Sequence, residues 1–218
     1  MNDKLIKLIS EKPLTPFASP AQEIYIFESD IRNDIDIEEV TKIILSNERN
    51  IIEKHPAFDD GNTGLGNESL TSRYPYFNLF QWENLNIKEV VRKTHDKFIN
   101  ALGYDNLDLY GQCWANVLRA GQEIKKHSHY NQPLSYLGGH ICIQTNDTQT
   151  HYVNPYTKKV YSSLNEIGKI TLFPNWIEHY TDIQLMSRER ITIAFDLYNE
   201  EFYNTRVVDE MKSHWEKL

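Results

Sequence analysis

The apolar positions change their period near residue 105. Before it, Val40, Ile43, Ile44, Ile51 and Ile52 form a stripe at helical spacing behind Asp36, Glu38 and Glu39, an acidic start that suits the positive end of a helix. A second stripe, Ile87, Val90, Val91, Phe98 and Leu102, stops at Gly103. Between them, residues 59–72 are rich in Gly, Asn, Asp and Ser and carry no apolar period, so they read as a long loop, of the kind that often serves as a lid or substrate loop. After residue 105 come short β-rich runs at 107–119, 134–144, 149–153, 168–174 and 189–198, separated by turn residues. An earlier run, 23–29, adds an edge strand, and 206–218 sets Val207, Met211 and Trp215 at the spacing of a short amphipathic helix.

Repeated strands without alternating helices exclude a doubly wound α/β sheet and favour a sandwich or barrel. The expected organisation is one structural domain in three parts. Residues 1–104 form a helical and edge-strand region packed on the barrel, 105–200 the β core, and 201–218 a C-terminal helix.

Composition narrows the function classes. With 40% hydrophobic and 25% charged residues the chain is ordinarily globular, which argues against disorder. Residues 2–17 lack the apolar core of a secretory signal and no run approaches a membrane span, so a cytoplasmic location without a membrane partner is expected. The net charge of −8, with no Lys/Arg cluster longer than a pair, repels a phosphate backbone and argues against nucleic acid. Cys113 and Cys142 are too few for a disulfide framework and read as free thiols.

The candidate chemistry lies in the β region. His127 and His129 flank Ser128, and two His at i and i+2 on an extended strand point to the same face. Imidazole suits Fe, Zn, Cu or Ni, and a third ligand from a neighbouring strand would complete a facial set with open positions. The segment from Gly168 to His179 is an apolar strand ending in a Pro174 turn that delivers such a His. In a barrel these two strand ends can converge at one mouth.

Taken together, the segments Trp114-Ala115-Asn116, Gly121, His127-Ser128-His129, Leu134-Ser135-Tyr136, Leu172-Phe173-Pro174-Asn175-Trp176-Ile177-Glu178-His179 and Arg190-Ile191-Thr192-Ile193-Ala194-Phe195-Asp196 resemble the 2-oxoglutarate and Fe(II)-dependent oxygenase family of bacteria and phages, which is related to the prolyl hydroxylases. The resemblance covers residues 113–197. It implies a mainly β fold, a double-stranded β-helix (a jelly-roll or cupin-like barrel) with the N-terminal helices packed on it. It also implies Fe(II), 2-oxoglutarate and O2 as cofactor and co-substrates, and decarboxylation to succinate coupled to oxidation of a small-molecule or peptide substrate, hydroxylation being the commonest outcome. A homodimer is compatible with it. The implied metal ligands are His127, His129 and His179, with no further catalytic residue. Most such oxygenases place a carboxylate where this chain has His129, and Asn131 is a poor substitute.

A dicarboxylate co-substrate needs a cation for its distal end. Arg190 presents a planar fork matched to a carboxylate, and Thr192, two residues on, projects from the same strand face. Asn116, by the resemblance, and Tyr136, by its chemistry, are further candidate partners of 2-oxoglutarate. The alternative is a cupin-type dioxygenase, isomerase or metal-binding sensor that does not use 2-oxoglutarate. Gly121 to His129 and Gly168 to His179 fit cupin spacing, but the usual glutamate after HxH is absent, Pro133 and Leu134 standing there. His55, His95, His140, His151 and His214 have no motif context and read as surface or core residues.

Overall fold

A computed structural model describes residues 3–129 and 136–218; Asn131, Pro133, Leu134 and Ser135 lie outside the described residues. Its strands are β1 (Lys4–Ile9), β2 (Glu23–Asp30), β3 (Leu109–Leu118), β4 (Leu137–Gln144), β5 (Gln149–Val153), β6 (Val160–Leu164), β7 (Lys169–Pro174), β8 (His179–Thr181), β9 (Arg190–Asn199) and β10 (Glu216–Lys217). They pair antiparallel into a seven-stranded sheet, β1-β2-β7-β4-β9-β3-β10, and a three-stranded sheet, β6-β5-β8. From β4 to β9 the chain passes between the two sheets, β5, β6 and β8 alternating with β7, which gives the jelly-roll of a double-stranded β-helix. Ile26 and Phe173 of the large sheet meet Tyr152 of the small one between the layers.

Helices α1 (Ile37–Lys54) and α2 (Ile87–Ala101) cover the other face of the large sheet. Helix α1 begins where Asp36 accepts a hydrogen bond from the Glu39 amide at 3.0 Å, and it buries Val40, Ile44 and Ile51. Its buried Glu48 receives both arms of Arg119, at 2.9 and 2.8 Å, which ties the helix to the end of β3. Helix α2 buries Val90, Val91 and Phe98. Covered on one face and facing the barrel interior on the other, β4 is buried at every position.

The C-terminal region is not the single helix expected from its apolar spacing. Helix α3 (Glu200–Arg206) ends where Val207 and Val208 turn extended, α4 (Asp209–Lys212) makes one turn, and β10 adds to the edge of β3. The free edge of β3 takes up this segment's backbone groups: the Leu218 amide donates to Leu109 O at 2.9 Å, and Trp215 packs on Tyr198. Among the described residues no helix is long and apolar enough to cross a membrane.

Candidate metal centre and its two cavities

His179 opens β8, and His127 stands directly opposite it: each backbone amide donates to the other's carbonyl, at 3.0 and 2.8 Å. Side chains of such a pair share a face, and so does His129, two residues on. The His129 amide donates to Asn175 O at 2.9 Å, fixing the segment against the turn after β7. The three rings therefore cluster, with centroids 4.4 Å (127 to 179), 5.3 Å (127 to 129) and 5.0 Å (129 to 179) apart. One nitrogen from each lies within 4.8 Å of the other two.

The ring protons are also assigned. His127 Nδ1 lies 2.8 Å from Lys125 O and His179 Nδ1 3.0 Å from Ile177 O; a carbonyl only accepts, so both Nδ1 atoms carry the proton and Nε2 keeps its lone pair. His129 Nδ1 lies 2.5 Å from the Asp196 carboxylate. Burial, reinforced by His129, pushes His127 down to about 4, and burial pushes His179 well below the ordinary histidine range. Burial would lower His129 as well, but Asp196 outweighs it and holds that ring above its ordinary value. Three imidazoles with Nδ1 fixed and Nε2 left over fit a divalent transition metal.

Deeper in the barrel lies a second set of polar groups. Alternate residues of β9 face inward, so Arg190, Thr192 and Ala194 line an inner cavity together with the three histidines. Arg190 is 1% exposed, and neither its Nε nor its Nη1 has a hydrogen-bond partner among the described residues. Thr192 sits opposite Asn116 in the ladder, and Asn116 also lines the cavity while its Oδ1 accepts from the Thr71 hydroxyl at 2.6 Å. The free space is about 40 Å³, so a five-carbon diacid displaces side chains on entering.

An outer cavity of about 390 Å³ shares Thr63, Trp114, His127 and His129 with the inner one and opens to the surface. Part of its wall is the loop that follows α1, including Asp59 and Asp60; the Lys125 amide holds this loop through Thr63 O at 2.7 Å.

Six of the seven candidate residues thus gather around one interior space. The seventh, Tyr136, precedes β4, and its hydroxyl lies 2.7 Å from His95 Nε2 on α2 rather than in the cavity lining. His140 lies outside the motifs, and Asp196 ends one of them without a role assigned to it. His140 lines the inner cavity from β4 and is pushed down to about 3 by burial and then by Arg190, so it is neutral. For Asp196 a signal exists in the sequence: it continues the alternation 190, 192, 194 by one step.

Residues 112–196 match the model of a family described as "Putative 2OG-Fe(II) oxygenase", a segment that contains every motif carrying the sequence resemblance. That family implies Fe(II), 2-oxoglutarate and O2. No curated protein matches the chain. Among solved structures, the non-haem α-ketoglutarate-dependent carbocyclase SnoK from nogalamycin biosynthesis is similar at TM-score 0.52 and 8% identity, over 84% of this chain and 86% of that one. A prolyl-4-hydroxylase from Pseudomonas putida follows at 0.48 and 11%, over 79% and 92%. A prolyl hydroxylase from Trichoplax adhaerens stands at 0.49 and 12%, over 76% and 80%. At 8% identity the likeness to SnoK shows a shared fold.

Proposed function

We propose that this chain is an Fe(II)- and 2-oxoglutarate-dependent oxygenase, with His127, His129 and His179 holding the metal and Arg190 anchoring the distal carboxylate of 2-oxoglutarate. The observation that carries the proposal is the buried guanidinium of Arg190, whose Nε and Nη1 have no hydrogen-bond partner among the described residues, in the cavity that the histidines line. A buried cation without an anion is costly, and a bound dicarboxylate removes that cost. A cupin that does not use 2-oxoglutarate has no need of such a group.

The bound metal supplies activation of O2, coupled to decarboxylation of 2-oxoglutarate to succinate. The protein's own residues do the rest. Nδ1 hydrogen bonds orient the three rings, Arg190 and Thr192 hold one end of the co-substrate, and Phe173, which also lines the inner cavity, keeps it apolar on one side. Hydroxylation of a small molecule or peptide is the outcome proposed.

Anaerobic titration of the metal-free protein with Fe(II) and then 2-oxoglutarate should give a visible charge-transfer band. Arg190→Ala should keep the metal and weaken 2-oxoglutarate by about 1.5–3 kcal/mol, the range of a charge-assisted hydrogen bond. Arg190→Lys should recover only part, because a point charge replaces a fork. If Arg190→Ala stays folded, keeps iron and binds 2-oxoglutarate as tightly as the parent, the co-substrate role is lost and the cupin alternative gains.

A further inference from the structure

The outer cavity has a chemical character of its own. Three carboxylates line it, Asp59, Asp60 and Asp196, and among the described residues no Lys or Arg does; the sequence between 130 and 135 contains neither. Its other walls mix aromatic rings, Tyr74, Trp114 and Trp215 among them, with neutral polar side chains such as Thr71 and Gln112.

The three carboxylates differ in what already satisfies them. Asp196 is taken up by His129. Asp59 accepts from the Gly61 amide at 2.7 Å and Asp60 from the Gly66 amide at 2.9 Å, neutral donors that shape the loop, and neither acid forms an ion pair among the described residues. In the loaded site the charges of the metal and Arg190 are balanced by 2-oxoglutarate and Asp196. The two loop aspartates, Asp59 exposed and Asp60 half-buried, have no cationic partner among the described residues and share the cavity with rings whose faces attract cations. Trp114 adds an independent sign of a ligand: it is 8% exposed, it lines both cavities, and its indole N–H has no hydrogen-bond partner among the described residues. An indole N–H only donates, so a fitting ligand offers it an acceptor.

We infer that the substrate is an organic cation, an ammonium or guanidinium group on a body that carries a carbonyl or hydroxyl, bound in the outer cavity between Asp59, Asp60 and the aromatic wall. This rests on the oxygenase proposal for the charge balance of the loaded site and for the step that follows binding. The cavity shares His127 and His129 with the metal site, so a group seated there lies beside the metal.

Three probes of one shape separate charge from size: the Nα-acetyl methylamides of lysine, norleucine and glutamate. Binding to the Fe(II)- and 2-oxoglutarate-loaded protein, without O2, is read from the fluorescence of Trp114 and Trp215 and from calorimetry. The lysine compound should bind about tenfold or more tighter than the other two, and added salt should weaken it. In the double variant Asp59→Asn, Asp60→Asn the amide oxygens can still accept from Gly61 and Gly66 while the charge is gone. It should lose most of that preference and bind the norleucine compound as the parent does. Equal or tighter binding of norleucine or glutamate, a preference that survives the double variant, or no binding of the lysine compound would each overturn the inference. The charge-transfer band is scored separately. Its absence sinks the oxygenase proposal, while the order of the three probes still decides this one.

Discussion

At the scale of single residues, Asp196 bears on the question posed by His129 standing where most related oxygenases have a carboxylate. Three neutral rings leave the metal with its full charge, but the Asp196 carboxylate lies one imidazole outward, on Nδ1 of His129. A carboxylate there fixes the tautomer and makes the ring a stronger donor. Asp196→Asn keeps the shape and removes the charge. It should weaken metal binding by about ten- to a hundredfold in a chelator competition with Co(II) or Fe(II), with the thermal midpoint of the metal-free protein little changed. Replacing His127, His129 or His179 by Ala should each abolish stoichiometric metal by elemental analysis; full occupancy in His129→Ala would remove that residue from the ligand set. These three histidines could be singled out in the sequence from residue type and local spacing, and Arg190 from its chemistry together with the family resemblance. His140 could not, since it acquires its neighbours only when β4 meets segments far away in sequence; for Asp196 the alternation along β9 gives its face but not its partner, His129. Tyr136 shows the reverse: suitable chemistry near the motif, but a hydroxyl spent on α2.

Among the elements, β9 sets the dimensions of the site. Its inward residues advance in steps of two, so Ala194 and Arg190 lie roughly 13 Å apart along the strand, the span that the proposed co-substrate and the Arg side chain would have to share. The ruler holds only if β4 lies flat between β9 and β7. Gly139 makes that possible, because a Cβ there would meet the Phe195 ring at 2.3 Å and Thr171 O at 2.6 Å. Gly139→Ala should therefore cost about 1–3 kcal/mol in denaturant unfolding, the range for overpacking; a change within 0.5 kcal/mol would show that the strands have slack. Strands that are short β-rich runs between turn residues, β3, β4, β5, β7 and β9, could be read from sequence, as could both long helices. The small sheet was harder. Strand β6 is a largely exposed strand and β8 has three residues, too few to show a period. The C-terminal segment misled because helical spacing says nothing of a free sheet edge nearby.

For the molecule as a whole, the pairings that build the barrel join distant parts of the chain, β3 with β9 and β2 with β7. Such contacts form slowly. The pairing of His127 with His179 lies outside the long ladders, among the backbone hydrogen bonds by which residues 121–129 run beside 175–184, and it joins the segment after β3 to the small sheet. A metal bound there is a clasp fastened after the garment is on. It adds stability to the finished barrel and little to the transition state that leads to it, so its effect should fall on the rate of opening. In stopped-flow measurements across denaturant, saturating Ni(II) should lower the unfolding limb about tenfold or more and leave the refolding limb nearly unmoved. A refolding limb that quickens in step would mean that the histidines meet early and that the clasp is part of the nucleus. On the late-forming alternative, the lifetime of the folded protein in a cell depends on its supply of metal even while no substrate is present.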